Sequence, residues 1–394
     1  MPSGSDAEYI PLLIAKTLNG GKAIVNVVTC NEEVGSGTLA AAGGKFFSPV
    51  EPIEGFTDGS KKNGDEVEGL AADVSTVAVD SRTPEGSVVD ASPKIKDVLE
   101  SCVGKDVVPI VHTVMGSKTG ISESLPEETV METIRELGGM VVVDACQARF
   151  QQSAIDESLK AQACILITGS KFFRSPPFCG GVFVPAPLMK RLADTNSVVP
   201  RGLNTFMGKS EIPQELENWR NSVQESSNAG LALRWEAALA EMEPTLAIDQ
   251  ETRVAKTKEW RNHIISYVDN FERLDYFRAA EDTDSIVSIR IKHTDVSKDW
   301  MNKSELAKVF KAMTSDQNET FLGMPGAEGA GELLKQRCFI GQPVLISKTE
   351  AVLRIALGSD SLRSFIENEA ATKLEDETII QKMAVLGENF GLLD

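Results

Sequence analysis

No run of apolar residues in this chain approaches the roughly 20 needed to cross a bilayer, which excludes a membrane-spanning helix. Positive charge is in deficit: 40 Lys and Arg against 58 Asp and Glu leave a formal charge of −18. That balance argues against nucleic acid, which is held by clustered basic residues, and against anionic membrane surfaces. Cysteine is sparse. Six occur in 394 residues with no C-x-x-C pair, so neither a disulfide framework nor a zinc site is expected. The start, Met-Pro-Ser-Gly-Ser-Asp, lacks the basic segment and apolar core of a signal peptide, and a reduced cytoplasmic location is expected. Internal repeats and low-complexity tracts are missing. The glycine run Gly35-Ser-Gly37-Thr-Leu-Ala-Ala-Ala-Gly43 lacks the G-x-G-x-x-G spacing, and Cys30–Val34 separates it from the preceding strand. A nicotinamide-dependent oxidoreductase would rest on that run alone.

What is present is an alternation of helical and extended patterns. A helix is expected over Asp6–Leu18, with Pro11 kinking it, and a strand over Ala23–Thr29. Gly55–Gly69 reads as loop, and a strand follows at Thr76–Val79. Helices near Lys94–Cys102 and Glu127–Leu137 alternate with strands at Val107–His112, Met140–Asp144 and the run before Lys171, with another strand at Gly181–Val184. Strands separated by helices argue for βαβ units and a mostly parallel sheet covered on both faces, an α/β three-layer sandwich. After about residue 245 the order changes. Helical stretches at Gly230–Met242 and Ile248–Phe271 lead to a strand at Ile286–His293 and a helix at Lys303–Met313. Strands near Pro343–Ile346 and Ala351–Leu357 and a closing helix from Ser361 complete it. Two domains are expected: residues 1–245, a large sheet domain, and 246–394, a smaller α+β domain.

The chemistry concentrates at strand ends. Met140-Val-Val-Val-Asp144-Ala-Cys-Gln147 is an apolar run closed by an acid; Cys164-Ile-Leu-Ile-Thr168-Gly-Ser170-Lys171 closes on an amine 27 residues later. In an open α/β sheet, ligands bind beyond the carboxyl ends of the strands. An acid and a lysine aimed at one crevice are the pair that pyridoxal phosphate requires, the lysine for the Schiff base and the acid for the pyridinium nitrogen. Phe172-Phe173 and Pro176-Pro177-Phe178 beside Lys171 suggest an apolar site, which would favour the neutral amine. Thr168 and Ser170 offer hydroxyls to a phosphate, or simply form a turn. Asp144 has the alternatives of a helix cap or a salt bridge, and Gln147 is uninformative alone. Past a third strand, Ser117 and Thr119 lie in a turn within reach of the same crevice. His112 ends that strand, either orienting a ligand or serving the fold. At the start, Ser3-Gly4-Ser5 precedes helical spacing, and Ser5-x-x-Glu8 reads as a capping box; the same helix end would bind a phosphate.

Together these residues resemble the aminotransferase class V group of the aspartate-aminotransferase-like (fold type I) pyridoxal-phosphate enzymes, which includes the cysteine desulfurases. The resemblance spans about Ser3–Pro185 and, more faintly, the region of Arg354. It implies that Asp144 and Gln147 contact the pyridine nitrogen and ring hydroxyl, and that Thr168, Ser170, Ser3, Gly4 and Ser5 contact the phosphate. It further implies that Ser117 lies beside the cofactor hydroxyl, that Lys171 forms the Schiff base, and that Arg354 binds the substrate carboxylate, with His112 near the substrate. A homodimer is implied, with Arg201-Gly-Leu-Asn-Thr205-Phe offering a phosphate contact to the neighbouring subunit. Two departures stand out. The loop Cys30–Gly37 carries no aromatic to stack on the ring, and the chain begins at the phosphate segment, so either the sequence is a truncated or misassigned product or the family's N-terminal arm is absent. The expected reaction is transamination of a small amino or keto acid. The alternatives are sulfur removal from cysteine by Cys338, 16 residues before Arg354, and a non-catalytic relic of the fold.

Overall fold

The structure, a computed structural model, describes residues 1–49, 53, 61–280, 285–295, 298–321 and 330–393. The expected loop Gly55–Gly69 therefore lies partly outside the described residues. The chain divides into two units. The first comprises Met1–Ser81, Val89–Ser117 and Ser122–Met242; the second comprises Arg82–Val88, Lys118–Ile121 and Glu243–Asp394.

The first unit is built on strands β1 (Ala23–Val28), β2 (Val74–Ala78), β3 (Val107–Val114), β4 (Met140–Ala145), β5 (Cys164–Thr168) and β6 (Gly180–Phe183). Their spatial order is β2-β1-β3-β4-β5-β6; all neighbours run parallel except β6, which is antiparallel to β5. Central strands of such a sheet are covered on both faces, so β3, β4 and β5 consist almost wholly of buried residues. Helices α1 (Gly4–Ala7), α2 (Tyr9–Asn19) and α3 (Thr38–Ala42) precede β2. Helices α4 (Ser92–Cys102), α5 (Glu128–Glu136), α6 (Gln152–Lys160) and α7 (Ala186–Ala193) follow in turn.

Side-chain alternation assigns the two faces. Ile24, Ile110, Val142 and Leu166 pack with Leu12, Ile14, Leu188 and Leu192 of α2 and α7. Val25, Val111, Val143 and Ile165 pack with Ile95, Val98, Met131, Ile134 and Ile155 of α4, α5 and α6. The result is a sheet between two helical layers. Strand order reverses direction between β1 and β3, so the crevice of this topology opens at their carboxyl ends.

The first helix departs from expectation. Ser3, not Ser5, is the N-cap: its hydroxyl accepts from the Asp6 amide at 3.2 Å. The helix breaks at Glu8, and Pro11 falls in the first turn of α2. A proline there removes an N–H that has no intrahelical partner, so no kink follows. Glu8 makes no cap and is buried instead.

The second unit carries β7 (Leu274–Phe277), β8 (Ile286–Ile291), β9 (Gly341–Leu345) and β10 (Ala351–Ala356), antiparallel throughout in the order β7-β8-β10-β9. Its helices include Gln250–Val268, Lys303–Met313, Ser359–Glu367 and Glu369–Glu388. The closing segment is two helices where one was expected, because Asn368 leaves the helical region and caps the last helix through the Ala371 amide. Buried Lys382 ties this helix inward, donating to the carbonyls of Met313, Ser315 and Gln336. Among the described residues no helix is long and apolar enough to cross a membrane.

Candidate active site

Along one face of the sheet each strand changes from apolar to polar toward its carboxyl end. On β1, Ile24 gives way to Asn26; on β3, Ile110 to His112; on β4, Val142 to Asp144; on β5, Leu166 to Thr168. The parallel register fixes the lateral neighbours: Asp144 lies between Val114 and Leu166. Polar groups thus gather on one face at one edge, buried though they are. Burial of this kind is tolerated only where partners exist or where charge is suppressed.

Asp144 has both. It is 6% exposed, and its Oδ1 accepts the amide of Cys146 at 2.9 Å, closing the turn after β4. That is the local cap expected of such an acid. The β4 and β5 ends are then tied together: the Thr168 hydroxyl donates to the Cys146 carbonyl at 2.6 Å, and the Phe172 amide donates to the Gln147 carbonyl at 3.3 Å. Burial, and after it the Asp144 carboxylate, push the Cys146 thiol well above the usual thiol range; Lys171 acts on the same thiol in the opposite sense. One sulfur therefore feels both Asp144 and Lys171. The expected apolar enclosure of Lys171 is not found: the residue is exposed, with Phe173 buried beneath the turn and Pro176–Phe178 facing outward. The chain turns directly beyond the strand, the Arg174 amide donating to the Lys171 carbonyl and the Ser175 amide to the Gly169 carbonyl, and Lys171 falls on the exposed part of that turn. Ser170 and Gln147 are half-buried.

The segment Ser3-Gly4-Ser5 is seated on these ends. Met1 and Gly180 of β6 exchange two hydrogen bonds, and a Cβ at Gly4 would lie 2.7 Å from Thr168 Cγ2 and 2.8 Å from Cys146 Sγ. A Cβ at Gly35 would lie 2.6 Å from the Ser5 hydroxyl. At Gly4 the approach calls for glycine; at Gly35 the neighbouring atoms are side-chain hydroxyls that a Cβ would have to displace. The glycine run dismissed as a dinucleotide motif thus closes over the Ser5 side of this cradle. Asp6, buried in the first turn of α1, has its carboxyl raised to about 6 by burial, although the Ser3 hydroxyl donates to it.

Beside the cradle, Ser117 donates its hydroxyl to Glu33 of the loop after β1. Both are buried. His112 is 1% exposed; its Nδ1 lies 3.5 Å from Oε2 of Glu8, which is equally buried. Burial drives the His112 ring down to about 3. Burial, then Asp144, drives the Glu8 carboxyl well above its usual range. The expectation of a substrate contact at His112 thus meets a ring sealed behind the site.

Arg354 lies in the second unit, where its guanidinium donates to the carbonyls of Lys118 and Gln342. Arg201 is exposed at the start of a short 3-10 turn, Arg201–Thr205. Cys338 is 6% exposed, its amide bonded to the Met313 carbonyl, and burial pushes its thiol up. A thiol so placed is a packing group rather than a nucleophile. Sequence reasoning singled out neither Glu33 nor Cys146, and it read Glu8 as a helix cap rather than a buried group. For Glu8 a signal of burial existed: with Leu12 and Ala15 it forms an i, i+4, i+7 line, all buried.

No protein-family model and no curated relative matches this chain. Solved structures do. Ureidoglycine-glyoxylate aminotransferase of Bacillus subtilis is 14% identical with a TM-score of 0.53, covering 98% of this chain and 78% of that one. Oryza sativa TDC, in complex with PLP and tryptamine, is 12% identical with a TM-score of 0.50, covering 95% and 68%. At such identities the likeness concerns the fold. The chain has the α/β fold of the aspartate-aminotransferase-like pyridoxal-phosphate enzymes, a mostly parallel sheet with helices on both sides and a smaller C-terminal domain.

Proposed function

We propose that this chain is a pyridoxal-phosphate-dependent enzyme of aminotransferase type, acting on a small amino or keto acid. The observation that supports this most is that β4 and β5 are parallel neighbours whose ends are tied by hydrogen bonds, so that Asp144 and the turn carrying Lys171 follow adjacent strands. The residues fit the group by their chemistry: Gly4 seats the Ser3–Ser5 segment against Thr168 and Cys146, the hydroxyls of Ser3, Ser5, Thr168 and Ser170 belong to these segments, and Asp144 is a buried acid on the adjoining strand.

In this reading Ser3, Gly4, Ser5, Thr168 and Ser170 hold the phosphate. Asp144 accepts the pyridine N–H, and Gln147 and Ser117 face the ring hydroxyl. When bound, the cofactor supplies an electron sink for charge developing at the substrate Cα. The chain's own residues choose what happens there. Lys171 Nζ, freely exposed, takes the Cα proton and returns it elsewhere. An anionic Asp144 keeps the ring nitrogen protonated. Arg354 is proposed for the substrate carboxylate, for which its planar guanidinium would exchange the Lys118 and Gln342 carbonyls it now donates to. A homodimer, with Arg201 reaching a neighbouring phosphate, and a cytoplasmic location belong to the same proposal.

The test is spectroscopic. Purified protein with added pyridoxal phosphate is expected to develop an absorbance band that borohydride abolishes, with the reduced cofactor recovered on the peptide containing Lys171. Recovery on another lysine would overturn the site. With the band in hand, amino-group transfer between small amino and keto acids is the activity to assay.

A further inference from the structure

We propose that Glu8 and His112 form a buried pair sharing a single proton, and that this pair is a positioning device for Asp144. Having no net charge, it adds no further anion beside the Asp144 carboxylate.

The geometry leaves each group only the other. Glu8 sits at the break between α1 and α2, and His112 on β3, on the face it shares with Asp144. Among the described residues, neither carboxyl oxygen of Glu8 and neither ring nitrogen of His112 has a hydrogen-bond partner. The nearest approach, Oε2 to Nδ1 at 3.5 Å, is between the two. A carboxyl and an imidazole stripped of water in this way are each strongly penalised unless paired. One proton serves the pair whether it rests on oxygen, with both groups neutral, or on nitrogen, with both charged. The groups facing it are Asp144 from β4 and Cys146 from the turn beyond, with Lys171 acting on Cys146 in turn. Loss of the shared proton would set a second anion beside Asp144 and drive one of the two carboxylates to protonate. The benefit to Asp144 as a ring acceptor rests on the function proposed above; the proton count does not.

That count has a measurable signature. Between pH 4.5 and 6.5 the unfolded chain also carries one proton on these two residues, on the histidine, so the wild-type pair adds no slope to the folding equilibrium. Glu8→Gln leaves His112, which binds its proton only when unfolded. Relative to wild type, the folding constant should then fall about tenfold per pH unit of acidification across that window. His112→Gln leaves Glu8, protonated only when folded, and the constant should fall about tenfold per unit as pH rises. The experiment is denaturant unfolding of the full chain without added cofactor. Opposite tilts support the pair; curves parallel to wild type overturn it. Should a variant fail to fold, the wild type still decides. The chain has three histidines, and imidazole resonances followed over the same range should include one that does not titrate. Three ordinary titrations near 6.5 would refute the pair. Failure of borohydride to fix cofactor on Lys171 would instead remove the function and leave the proton count standing.

Discussion

Adding one methyl group at Gly4 tests whether the Ser3–Ser5 segment is truly seated on the ends of β4 and β5. In Gly4→Ala the new Cβ would meet Thr168 Cγ2 at 2.7 Å and Cys146 Sγ at 2.8 Å, where carbon atoms normally rest about 3.5–4.0 Å apart. Neither neighbour is able to withdraw. Thr168 is 5% exposed and its hydroxyl is fixed to the Cys146 carbonyl; the Cys146 amide is fixed to Asp144. Either α1 shifts or side chains leave their rotamers, and overpacking of this kind costs about 1–3 kcal/mol. For a unit of this size each kcal/mol moves the thermal midpoint by roughly 2–4 °C. The Thr168→Ser change deletes the offending methyl while keeping the hydroxyl, so Gly4→Ala should cost less in its presence. Coupling of about 0.5 kcal/mol or more is expected of residues in contact. Gly391→Ala, where a Cβ meets nothing within 4 Å, serves as the control. Thermal unfolding and pyridoxal-phosphate titration of wild type, the two single variants, the double variant and the control complete the assay. A fully stable Gly4→Ala, or a cost unaltered by Thr168→Ser, would refute the seating of the cradle.

Asp144→Asn should lower cofactor-dependent amino-group transfer by roughly 10- to 150-fold, the worth of about 1.5–3 kcal/mol for a hydrogen bond to a charged group; unchanged turnover would remove Asp144 from the mechanism. Cys338→Ala should leave that activity intact, and native protein should resist alkylation at Cys338, because the thiol is buried and pushed toward its protonated form; loss of persulfide release from cysteine in this variant would revive the desulfurase alternative. Asp6 has a folded-state value of about 6, above the ordinary carboxyl, so its contribution is intact below about pH 4 and lost as pH rises through 6. Asp6→Asn should therefore gain up to about 3 kcal/mol on wild type between pH 4 and 7, measured by denaturant unfolding; a difference independent of pH would contradict this. Lys382→Met strands three carbonyls in the second unit and should cost about 3 kcal/mol or more. A loss below about 1 kcal/mol would mean that water replaces the ammonium.

How far the sequence discloses this molecule depends on whether a residue's fate is set locally or by register. Strands β3, β4 and β5 are legible because parallel strands, buried on both faces, are written as unbroken apolar runs. Strand β7 is not: it lies at an edge, three of its four residues are half-buried, and no run or alternation marks it. Helices α6 and α7 are short and amphipathic, and their few buried positions are too sparse to stand out from loop. The two ends of the proposed site divide in the same way. Asp144 and Lys171 each announce themselves by closing an apolar run. That they follow adjacent strands is set by the pairing of Asp144 with Leu166, which no single strand encodes. Exposure of Lys171 is equally a matter of how the turn leaves the sheet. Glu8 is the instructive case. Ser5-x-x-Glu8 has the letters of a capping box, and Glu8-x-x-x-Leu12-x-x-Ala15 has those of a buried helical face; both patterns include the same glutamate. What decides between them is where the helix begins. With Ser3 as the cap, the helix breaks one residue after Ala7 and turns Glu8 toward β3. A carboxylate committed to the interior then needs a partner there, and the only histidine on that face supplies it. The ambiguity of a four-residue motif thus conceals the group on which the charge of Asp144 is proposed to depend.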